Sequence, residues 1–119
     1  MSTLPDHSVE SVSIERKCGM EISVSGQADT SERYGSRRTF NPTYVHLSFR
    51  QDGPDTPVYL WGVTLRGPRR LKDGKLSGTS TVQSRSSFWK IEADELEELD
   101  FSFPEWVRAL VEEYWPATI

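Results

Sequence analysis

Few side chains in this 119-residue sequence combine in ways that support bond-making chemistry. A nucleophile with a base requires Cys18, or a serine, within reach of His46, and no local motif joins them. A lone cysteine with two histidines, His7 and His46, cannot assemble a zinc site of the usual four-ligand kind. Carboxylates crowd residues 92–100, but without the alternating oxygen ligands and central glycine of an EF-hand loop. Nothing in that run separates their pKa values, as a general acid and base require. Neither phosphate-loop pattern, G-x-x-x-x-G-K-[ST] or G-x-G-x-x-G, occurs. The expectation is a protein that is not an enzyme and that needs no cofactor or metal.

Binding chemistry is better represented. The stretch LRGPRRLKDGKLSG, residues 65–78, carries Arg66, Arg69, Arg70, Lys72 and Lys75 against Asp73 alone. A second basic group, Arg33, Arg37 and Arg38, surrounds Tyr34. Cations that neutralise phosphates, mixed with aromatics that stack on bases, are what nucleic-acid binding uses. Against that, the sequence pI is about 5.2, and no helix-turn-helix or RNP-like signature is present. Trp, Tyr and Arg also dominate the energetics of protein interfaces. Trp115, beside Pro116, is a candidate exposed anchor. The leading expectation is a protein-interaction module, an inhibitor or accessory factor, that binds through these residues. Nucleic-acid binding through the basic hairpin and loop is the alternative.

Charge is unevenly distributed. Residues 32–91 carry a net +7 and residues 92–119 a net −8, within a chain of net −4. Either the ends fold beside the middle and their fields cancel, or the two regions face different ways. Binding through the patches depends on the second arrangement.

These residues need a scaffold. The length suits one domain, and at this size folding buries roughly two-thirds of the surface the unfolded chain exposes. Tryptophans at 61, 89, 106 and 115 place the expected core in the later half. The single cysteine precludes an internal disulfide framework. The polar opening residues, and the lack of any run of roughly 18 apolar residues, suggest a cytoplasmic protein without a membrane span.

Residues 1–10 read as a flexible tail and 11–119 as one α+β domain. From Val12 to Val24 the even positions are mostly apolar, interrupted near Gly19. This is either two strands with a tight turn at 17–19 or one long bulged strand. Residues 26–42 lack any period and read as a loop that Tyr34 and Phe40 could anchor. TYVHLSFR (43–50) and VYLWGVTLR (58–66) alternate and flank the turn-rich QDGPDTP, as an antiparallel hairpin does. Gly67-Pro68 should break or bulge the strand. Asp73-Gly74 should make a two-residue turn, with Leu71 and Leu76 pointing inward. Residues 77–87 read as solvated strand or loop, and 87–93 as a last strand. Phe103, Val107, Leu110 and Tyr114 form one stripe of a helix, with Ser102 as N-cap, Pro104 in the first turn and Pro116 as the stop. The expected architecture is an antiparallel sheet of five to six strands with one C-terminal helix packed on one face.

The stretches TYVHLSFRQDG, GVTLRGPRRLKDGKLS and PEWVRALVEEYWP resemble small uncharacterised proteins of actinobacteria and their phages and plasmids, over roughly residues 40–116. The resemblance implies a mobile-element or accessory role, which favours a binding or inhibitory protein over a metabolic enzyme. It transfers no site residue.

Overall fold

The computed structural model describes residues 4–29, 39–96 and 103–119, with the backbone alone for 79–90. Five antiparallel strands form one curled sheet in sequence order: β1 (Asp6–Ile14), β2 (Lys17–Ser25), β3 (Tyr44–Gln51), β4 (Val58–Arg70) and β5 (Leu76–Ile91). A 3-10 turn at Ala93–Glu95 and the helix α1 (Glu105–Tyr114) follow. The α+β architecture and the helix lying on one face agree with the sequence pattern. β1 starts at Asp6, so half of the stretch expected to fray is paired strand.

The turn between β1 and β2 sits earlier than the pattern suggests. Ile14 pairs with Lys17, which leaves Glu15 and Arg16 as a two-residue turn. Both have positive φ, 48° and 63°, as a turn matching the right-handed strand twist requires. An even-numbered loop reverses which parity faces the core. Cys18, Met20, Ile22 and Val24 are buried, whereas Val12 and Ile14 lie on the opposite face, 64% and 65% exposed. The inward residues of β1 are instead His7 and Val9, opposite Val24 and Ile22.

The core lies between the inner face of β2–β4 and α1. Val45, Leu47 and Phe49 of β3 alternate into it, as do Val58, Leu60, Val63 and Leu65 of β4. The inward spacing of β4 slips by one at a bulge near Trp61, where Ser48 pairs with Gly62 but Phe49 with Leu60. From below, α1 contributes Val107, Leu110 and Val111, with Phe103 and Leu96 ahead of it. The tryptophans do not fill this core. Trp106 and Trp115 are half-buried at its margin, Trp61 is half-buried on the outer face, and the side chain of Trp89 lies outside the described residues. Fully burying a Leu, Val or Phe contributes about 1.5–3 kcal/mol, so the small aliphatics of three strands carry the stability.

Pro104 occupies the N-cap of α1 in extended geometry rather than its first turn, and its carbonyl accepts from Val107 N–H (2.9 Å). Ser102, the expected cap, lies outside the described residues. Trp115 is extended because Pro116 follows, which ends the helix. Two further bonds lock this region to the sheet. His7 Nε2 meets the Tyr114 hydroxyl (2.6 Å) while Nδ1 meets Pro5 O (2.6 Å), so one tautomer satisfies both. The buried Gln51 amide donates to Thr56 O (2.8 Å) and accepts from Ile119 N–H (3.0 Å).

β4 and β5 outrun β3 and form an arm flanked by residues 39–43. β4 continues through Gly67-Pro68, and the register slips between Pro68 and Arg70, as a bulge there predicts. Asn41 N–H donates to Pro68 O (3.0 Å), Thr43 N–H to Arg66 O (3.1 Å) and Arg70 N–H to Thr39 O (3.1 Å). The flank presses so close that a Cβ on Gly67 would lie 1.7 Å from Asn41 O. Phe40, fully buried, anchors the flank as expected; Tyr34 lies outside the described residues. The arm's tip is a three-residue turn, Lys72-Asp73-Gly74, not the two-residue turn expected. Gly74 N–H donates to Leu71 O, Leu71 N–H to Lys75 O, and Gly74 has φ 88°. Leu71 and Leu76 consequently do not point inward; they are 39% and 44% exposed.

Candidate functional site

The basic hairpin lies at one end of the molecule. Leu76 at the start of β5 pairs with Arg70 and Ile91 at its end pairs with Leu60, so β5 spans ten residue steps of β4, about 33 Å at about 3.3 Å each. Lys75 immediately precedes it, and Glu92, Asp94 and Glu95 immediately follow it. The two charge clusters therefore lie at opposite ends of the β4–β5 pair. That distance is several Debye lengths, about 8 Å each at physiological salt, so neither cluster screens the other. The ion pairs between described residues join Arg70 to Asp29 and Arg108 to Glu105, and none links the hairpin to residues 92–95.

Each cation of the hairpin has its own circumstance. Arg66 points to the outer face, its guanidinium 4.2 Å from the centre of the Tyr44 ring. Tyr44 in turn donates to Glu21 (2.6 Å), and that hydrogen bond raises the phenol's pKa above its usual 10. Arg70 is fully engaged. Its Nε and Nη2 grip the Asp29 carboxylate, and Nη1 donates to Gly74 O (2.6 Å). This side-chain hydrogen bonding holds the Asp29 carboxyl below its ordinary value and raises that of Arg70. Lys72 and Lys75 are exposed in and beside the turn, and Arg69 is half-buried below it. A cleft of about 520 Å³ opens here, lined by Thr39, Arg69, Arg70, Leu71 and Lys72.

Arg33, Tyr34, Arg37 and Arg38 lie outside the described residues. Trp115 is anchored to the body rather than presented outward. Its indole N–H donates to Val58 O (3.2 Å), and its ring meets Phe49 edge-on at 5.2 Å.

A second surface carries residues the sequence pattern did not single out. The sheet face opposite α1 is covered by no described element. Strand register lays it out in rows: Ile14, Lys17, Arg50 and Tyr59 in one, Val12, Gly19, Ser48 and Gly62 in the next. The Arg50 guanidinium stacks 4.0 Å over the Trp61 ring. The exposed Val12 and Ile14 therefore border a shallow strip, because glycine and serine occupy the neighbouring positions. Counting residues from a turn at 15–16 would have revealed this face; assuming a turn at 17–19 hides it.

The structure does not bring Cys18 and His46 together. Cys18 is buried on the inner face, whereas His46 lies on the outer face with its ring near Gly19, so the sheet separates them. The carboxylates of Glu92, Asp94 and Glu95 lie within 4.8 Å of one another, all exposed. A local turn explains this proximity: Glu95 N–H donates to Glu92 O (3.0 Å), and the two residues cap the 3-10 segment reciprocally. No helix among the described residues is long and apolar enough to cross a membrane. Comparison with protein-family models, with curated proteins and with solved structures finds no match for this chain.

Proposed function

We propose that this chain is a non-enzymatic interaction module that docks a protein partner on the open face of its sheet, as an inhibitor or accessory factor would. The observation that carries it is the pair Val12 and Ile14, 64% and 65% exposed on a face that no described element covers, beside the Arg50–Trp61 stack. Exposed apolar side chains next to Arg and Trp have the composition of an interface centre. Lys17 and Arg50 flank the apolar pair, so charge complementarity favours a partner surface with apolar side chains bordered by carboxylates.

The experiment compares capture from a lysate of the source organism by the native chain and by Val12→Glu/Ile14→Glu. Both side chains are exposed, so the double variant should keep its stability within about 0.5–1 kcal/mol. A partner held by the native chain and lost from the equally stable variant supports the proposal. A partner retained by that variant but lost on removing Arg69 and Lys72 refutes it.

A further inference from the structure

We propose that the cleft at the base of the β4–β5 hairpin binds a phosphate group, with Arg69 and Lys72 supplying the charge and Thr39 a hydroxyl. The site is separate from the open sheet face and does not depend on its role.

The cleft's walls are organised before any ligand arrives. Arg70 is spent on Asp29 and on the Gly74 carbonyl, which fixes the turn against the strand rather than leaving a charge to offer. Thr39 is fixed through its backbone by Arg70 N–H, and the neighbouring Phe40 is wholly buried. Between these walls, Arg69 and Lys72 form no ion pair with a described residue. The nearby Asp73 is committed to the turn, its carboxylate accepting from Lys75 N–H (3.0 Å). Two cations that no described residue pairs therefore share a concavity of about 520 Å³ with a hydroxyl and the half-exposed Leu71. A planar fork, a flexible ammonium and a hydroxyl suit the several oxygens of a phosphate. Leu71 provides apolar surface for whatever body carries that phosphate, and a cleft of this size admits a nucleotide-sized ligand. Glu92, Asp94 and Glu95 lie about 33 Å away along the β4–β5 pair, about four Debye lengths, so their charge does not repel an anion here.

A free phosphate compound and a nucleic-acid strand both present this chemistry, and two probes distinguish them. Inorganic pyrophosphate is titrated calorimetrically, and a labelled 12-nucleotide single-stranded DNA by fluorescence anisotropy, each on the full chain at 50 and 200 mM salt. The variants are Arg69→Gln/Lys72→Gln, which keeps the alkyl stems, and Arg16→Glu, which changes net charge equally at the far end of the sheet. Binding should weaken at least tenfold in the first variant and less than twofold in the second. For two strand phosphates neutralised, affinity should fall about sevenfold between the two salt concentrations. Tighter binding of the oligonucleotide, with this pattern, supports the site with nucleic acid as its source of phosphate. Tighter or equal binding of pyrophosphate, with this pattern, supports it with a free ligand. Binding of neither probe below 1 mM at the lower salt, or equal binding by the glutamine variant whose melting is unchanged, overturns the proposal.

Discussion

Replacing Gly67 with alanine tests how the arm is held. The added methyl would sit 1.7 Å from Asn41 O, 2.7 Å from the Asn41 carbonyl carbon and 3.1 Å from Pro42 Cα. A carbon and an oxygen in ordinary contact need over 3 Å, so the flank must retreat by about 1.5 Å. Backbone cannot swing aside as a flexible side chain does. The retreat stretches the three hydrogen bonds that tie Thr39, Asn41 and Thr43 to β4 beyond useful length. At about 0.5–1.5 kcal/mol each, their loss costs about 2–4 kcal/mol. Unfolding entropy near 2.1 cal/mol/K per residue converts the middle of that range to a melting decrease of about 12 °C for this chain. Gly78→Ala is the matched control, since nothing lies within 4 Å of its Cβ position. It should leave the melting temperature unchanged or slightly raised. Differential scanning calorimetry of the two variants decides the matter. A Gly67→Ala decrease under 3 °C would show that the flank yields freely, and the account of a clamped arm would be wrong.

Three further outcomes follow from the geometry. Glu15→Asn with Arg16→Gly should stabilise the chain by about 1 kcal/mol in urea unfolding, because Asn-Gly adopts the positive φ values that Glu and Arg tolerate poorly. Gln51→Ala should destabilise by about 1 kcal/mol in the same assay, since the part-buried Ile119 N–H loses its acceptor. Asp29 has a folded pKa below its ordinary 3.8, so its contribution is complete above that value and disappears as pH falls through the lower folded value. Thermal melts from pH 5 to pH 2 should therefore decline more steeply for the native chain than for Asp29→Asn.

Much of the architecture could be read from short-range pattern. Val45, Leu47 and Phe49 alternate with polar residues, and a half-buried strand must do so when one face meets a core. The stripe Phe103, Val107, Leu110 and Tyr114 likewise marks a helix lying on a sheet. Turns were less legible, because their consequence is global while their signal is weak. Glu15-Arg16 contains no glycine or asparagine, so nothing announced positive φ there. A two-residue loop in place of a three-residue one then reversed the fate of Val12 and Ile14. At Asp73-Gly74 the glycine was correctly located, yet the loop length depends on the Leu71–Lys75 pairing, which composition does not encode. The separation of charge was visible as a sequence run, but whether opposite runs fold together is decided by the length of β5. Trp115 illustrates a further limit: an aromatic near a proline looks exposed until the acceptor for its N–H, Val58 O, is known.

The bond between His7 and Tyr114 has a consequence for biogenesis. Translation proceeds at about 5–20 residues per second, so β1 waits roughly 5–20 s for the helix that completes its packing. In that interval the apolar side of the nascent β2–β3 hairpin has no lid, and a chaperone or an early dimer of incomplete chains would find it accessible. A slowed ribosome between codons 60 and 105 would lengthen that vulnerable period, and yield in the cell would then depend on synthesis rate as much as on the finished protein's stability.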